Sequence, residues 1–120
     1  MIRKSKLMGL TYELQNRSLD AQHVHNTTDN TEFFAKSEGW EYAYTSVVGD
    51  LRDLIDGEGD VTHEDVQSYL VDWKRTINRW REIKRKTPFL LRVHVYQGKI
   101  EAMETCIRKV KEFLEENINE

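Results

Sequence analysis

Between Trp73 and Lys86 the chain sets seven cations among two tryptophans: Lys74, Arg75, Arg79, Arg81, Lys84, Arg85 and Lys86. Cations at that density on one helix can each neutralise a phosphate, so the run is the expected site for nucleic acid or an acidic partner. Trp73 and Trp80 would add base stacking if they faced solvent. They fall in step with Val66, Tyr69, Leu70, Ile77 and Ile83, however, and that stripe predicts core packing. For the charges, the ordinary alternative is a solvated face whose last turn complements the helix dipole.

The complementary feature is acidic. Asp53, Asp56, Glu58 and Asp60 cluster just before the basic helix and form the expected acidic partner-binding site. A calcium loop is the sharper reading of Asp56, Glu58, Gly59, Val61 and Asp65, which have the spacing of the end of an EF-hand. The first ligand position then falls on Leu54, and the terminal glutamate is replaced by Asp65. A DNA-like surface that occupies a basic partner is another reading, and a solvated helix connection is the simplest. His23 and His25 would share a side if extended, with Asp29 near, but no Cys or His lies at zinc spacing.

Glu38-x-x-Glu41 followed by Asp50-x-x-Asp53 resembles the carboxylate pairs of helical nucleotide pyrophosphohydrolases. Here all four sit on one expected helix, where they cannot converge on a metal. No P-loop, GxSxG, HExxH or Cys/His nucleophile arrangement occurs. Cys106 lies beside an apolar stripe, as a small packing residue does. The residues therefore predict no catalytic group, no metal and no cofactor.

The elements that hold these residues are helical. With 120 residues, one domain is expected, and one Pro and six Gly argue against an all-β fold with many tight turns. A charged fraction of 32% and a mean hydropathy of −0.72 suit long helices with narrow apolar stripes. Net charge is −3, which favours neither nucleic acid nor membrane. One cysteine permits no intrachain disulfide, and neither a membrane span nor a signal-peptide core is visible. The expected setting is cytoplasmic, without membrane contact.

The strongest helix runs from Thr62 to Lys86, with Thr62 as cap, Asp65 in the first turn and Val61 stapled onto Val66. Thr87-Pro88 closes it. An earlier helix starts between Asp29 and Glu38, from an Asp29/Glu32 capping pattern or from Ser37, and ends at Gly57 and Gly59. Gly49 within it suggests a close helix crossing. A later helix starts at Thr87-Pro88, with Leu90, Val93, Tyr96, Ile100, Met103, Ile107, Val110 and Leu114 in step. Glu104/Arg108 and Lys111/Glu115 have the spacing of helical ion pairs. Leu91–Tyr96 also alternates as a strand would, but the helical period continues across it.

Residues 1–28 read as an arm or short helix plus a polar linker at 22–30, and 29–120 as the helical domain. The expectation is an all-α antiparallel three-helix bundle with the acidic loop at one end and residues 85–92 at the other. It implies a non-enzymatic interaction or assembly protein, self-associating as a homo-oligomer or binding a protein partner through its charged ends. The alternative function is a nucleic-acid accessory using the basic helix.

Overall fold

The computed structural model describes residues 1–117. It contains four helices of similar length, α1 (Lys4–Thr27), α2 (Thr31–Asp56), α3 (His63–Lys86) and α4 (Leu90–Glu116). The expected three-helix bundle is thus a four-helix bundle, because the presumed arm is a full helix. Alternation at Met8, Leu10, Tyr12 and Leu14 had disguised it. The structure buries Leu7, Leu10, Thr11, Leu14 and Ala21, which recur at three-, four- and seven-residue steps. Met8 and Tyr12 point to solvent. The polar run expected as a linker is helical to Thr27, leaving only residues 28–30 as the connection.

Helix ends follow local chemistry. Asn30 rather than Asp29 caps α2, its side chain accepting from the Phe33 N–H at 2.9 Å. Thr62 and Asp65 form the reciprocal capping box of α3: Asp65 N–H donates to Thr62 Oγ1 (3.1 Å) and Thr62 N–H to Asp65 Oδ2 (2.9 Å). Val61 and Val66 are both buried, as a staple requires. Pro88 lies before α4, not in its first turn, and Phe89 is the cap position. Leu91–Tyr96 is helical throughout.

Consecutive helices are antiparallel, so α2 and α4 run in the same direction, and these two form the closest pair in the bundle. Small residues explain the approach. Ala35, Gly39, Ala43 and Val47 make one four-residue ridge on α2; Gly98, Ala102, Cys106 and Val110 make its counterpart on α4, and all are buried. A Cβ built on Gly39 would lie 2.1 Å from the Val95 carbonyl oxygen, and one on Gly98 would lie 2.1 Å from that of Lys36. The close crossing is therefore at Gly39, not at Gly49, where a Cβ meets nothing within 4 Å. α1 flanks α2 and α3 flanks α4, while α1 with α4 and α2 with α3 touch only sparsely.

One buried cluster runs the length of the molecule, which measures 45 × 29 × 23 Å. Trp73 and Trp80 lie in it, as their position on the stripe predicts. Trp73 donates its indole N–H to Asp50 Oδ2 at 2.8 Å, which satisfies the polar edge of the ring. The first residues close one end: Ile2 N–H donates to the Val61 carbonyl at 2.8 Å, and both side chains are buried. No helix among the described residues is long and apolar enough to cross a membrane.

Candidate interaction surface

The bundle has two ends of different character. One gathers the α2–α3 connection and the start of α1. Asp53, Asp56, Glu58 and Asp60 are all exposed there. The fold also brings Arg3, Lys4 and Lys6 to this end, and Lys4 Nζ donates to the Gly57 carbonyl at 2.7 Å. The acidity read along the chain is therefore partly offset in space. Asp65, the last ligand of the calcium reading, spends its carboxylate on the capping box, and Leu54 sits within α2. Among the described residues no group of three or more His, Cys, Asp or Glu is arranged to hold a metal ion.

The other end gathers residues 28–30 and 87–89 with the starts of α2 and α4. Phe33 (50% exposed), Phe34 (41%), Phe89 (62%), Leu90 (68%) and Leu91 (54%) stand in solvent there. All five lie at or beside the first turns of α2 and α4, outside the buried cluster. Local contacts hold some of the rings. Phe34 stacks on His25 (centroids 4.2 Å), Phe33 tilts against Trp40 (6.5 Å), and the Arg92 guanidinium sits 5.8 Å from the Phe89 centroid. His25 also meets Glu38 at 3.3 Å. His23 lies two residues away on a different face of α1, so the two imidazoles do not pair.

Charges at this end divide by side. The α3–α4 side carries Arg85, Lys86 and Arg92; the α1–α2 side carries Asp29 and Glu32. Within the chain, Glu82 holds Arg85 (2.6 Å) and Lys86 (3.0 Å), which draws its carboxyl pKa down to about 2. Glu32 meets Lys36 (3.4 Å) and His94 (3.8 Å). Asp29 and Arg92 have no ion-pair partner among the described residues.

The basic run is less available than its sequence suggests. Arg81 bridges to Glu104 at 2.8 Å, Lys84 donates to Gln97, and Arg85 and Lys86 share Glu82. Lys74 faces Lys111 across the α3–α4 groove, which lowers the Lys74 pKa. Arg75 and Arg79 are exposed without an ion pair among the described residues. The expected Glu104/Arg108 and Lys111/Glu115 pairs do not form: Arg81 takes Glu104, and Arg108 sits 3.8 Å from Glu112.

Sequence reasoning missed an ammonium enclosed by rings. Lys99 Nζ lies 4.1 Å from the Tyr42 centroid, 4.6 Å from Tyr96 and 5.6 Å from Trp80. Burial lowers its pKa, and the ring faces replace part of the lost hydration. With Tyr42 edge-on to Trp80 at 6.2 Å, this contact ties α2 to α3 where few others do. Cys106, on the close-packed ridge of α4, is fully buried, and burial pushes its thiol up to about 12. It is a packing residue, as its place beside the stripe predicts.

No family model matches the chain, and the comparisons found no match among curated proteins or solved structures.

Proposed function

We propose that this protein is a non-catalytic assembly bundle that pairs with a second copy through the end bearing Phe33, Phe34, Phe89, Leu90 and Leu91. The observation that carries the reading is the gathering of these five exposed bulky apolar side chains at one end of the bundle. Apolar surface concentrated in this way marks an interaction site, whereas single exposed residues do not. Self-pairing is supported by the division of charge. A two-fold axis that runs along the boundary between the two sides lays each side on the opposite side of the partner. Such a rotation brings the Arg85, Lys86 and Arg92 side of one copy over the Asp29 and Glu32 side of the other. Apolar contact supplies affinity, and the flanking charges fix orientation.

The test is sedimentation equilibrium over a range of concentrations, with wild type and the double variant Leu90→Asp/Leu91→Asp. Wild type should show twice the chain mass of 14.3 kDa, and the variant the single mass with an unchanged circular dichroism spectrum. A wild type that stays at the chain mass at every concentration sinks the proposal.

A further inference from the structure

Between α3 and α4, away from the apolar end, runs a surface cleft of about 620 Å³. Ile77 and Ile107 line it with Lys74, Arg81, Arg108 and Lys111. Its volume is that of a small-molecule site. The cations differ in what they hold. Arg81 is bound to Glu104 at 2.8 Å and Arg108 lies 3.8 Å from Glu112. Lys74 and Lys111 face each other from opposite helices with no carboxylate at ion-pair distance among the described residues. Both line the cleft, and Lys111 pushes the Lys74 amine below its ordinary pKa.

We infer that the α3–α4 cleft binds a compact phosphate monoester, with the dianion between Lys74 and Lys111 and the apolar part of the ligand against Ile77 and Ile107. A phosphate monoester carries close to two negative charges at neutral pH and three acceptor oxygens, which matches two ammonium donors. The cleft's own carboxylates set the size of the ligand. Glu104, Glu112 and Glu115 also line it, so an extended polyphosphate chain would run into like charge, while a single phosphate seated between the lysines would not. The site is independent of the assembly surface: Lys74 lies mid-helix on α3, and Lys111 lies near the far end of α4 from Leu90 and Leu91.

Isothermal titration at low salt and about pH 8, where the monoester is a dianion, tests this with phenyl phosphate, inorganic phosphate and an unphosphorylated single-stranded oligonucleotide. Phenyl phosphate should bind one per chain and more tightly than inorganic phosphate, which lacks the apolar part. Lys74→Ala/Lys111→Ala should weaken it by about tenfold or more without lowering the melting temperature, since both side chains are exposed. The inference is overturned if phenyl phosphate fails to saturate, or if the double variant binds it equally well. It is also overturned if the oligonucleotide binds more tightly and displaces phenyl phosphate, which would make the face a polyanion surface. None of these results depends on whether the protein forms dimers.

Discussion

Replacing Gly39 by Ala should destabilise this protein although it improves the helix. In isolation the change is favourable, because Ala exceeds Gly by about 1 kcal/mol in a helix interior. In the bundle the new methyl would sit 2.1 Å from the Val95 carbonyl oxygen, 2.5 Å from the Lys99 nitrogen and 2.9 Å from the Gly98 carbonyl carbon. All three are backbone atoms, so no side-chain rotation relieves the clash, and α2 must move off α4 by over an ångström. Overpacking of this kind costs about 3 kcal/mol at the upper end of its usual range. The net loss is then about 2 kcal/mol, or roughly 8 °C in melting temperature for a domain of this size.

Gly49→Ala is the matched control, since its Cβ meets nothing within 4 Å; it should gain up to about 1 kcal/mol and melt higher. Both are read by thermal and urea denaturation at one fixed protein concentration, because the proposed assembly would make melting concentration-dependent. A Gly39→Ala protein that melts at or above wild type would refute the account of the α2–α4 contact. So would a Gly49→Ala protein that falls equally far.

Two further outcomes follow from titrating groups. Cys106 is buried with its thiol pKa pushed up to about 12, so Ellman's reagent should label the native protein only as fast as it opens, and at once in denaturant; rapid labelling of the folded state would show the α4 ridge to be loose. Glu82 has its carboxyl pKa depressed from 4.5 to about 2 by Arg85 and Lys86, so its contribution to stability is present above pH 4.5 and is lost as pH falls through about 2. Glu82→Gln should lower stability on the neutral side, flatten that part of the acid dependence and leave stability below about pH 2 unchanged; an identical acid limb in the variant would mean that the pairs contribute nothing measurable, as exposed pairs often do.

Much of α3 was legible because its signals are local and agree. Its cap, its stripe and its basic last turn all indicate the same helix, and the structure places each as expected. α1 was illegible for the opposite reason. Its exposed Met8 and Tyr12 interleave with buried Leu10 and Leu14, which imitates a strand, and polar residues 22–27 continue the helix under tertiary support. The Gly39 crossing left a trace in the four-residue spacing of small residues on α2 and α4, but which helices meet is a long-range fact that no single stripe contains. The same limit hid the offset of the acidic end, since only the fold brings Lys4 to Gly57. The exposure of Leu90 was not readable, because its place in step with Val93 and Tyr96 is that of a buried residue, yet it stands 68% exposed. Nor was the near approach of Lys74 to Lys111, because it depends on how α3 and α4 are set side by side.

The pairing of α2 with α4 also determines when, during synthesis, the core becomes protected. The α1–α2 hairpin is made of neighbours in sequence and can form once Asp56 has emerged. Yet the ridge of Ala35, Gly39, Ala43 and Val47 finds its counterpart on α4, two helices later. At about 5–20 residues per second, the nascent chain carries that ridge uncovered for roughly three to twelve seconds. The ridge is built of glycine, alanine and valine. So small an apolar face is a weaker target for aggregation or chaperone capture than a leucine-rich one would be, which makes the small residues as useful to the half-made chain as they are to the finished bundle.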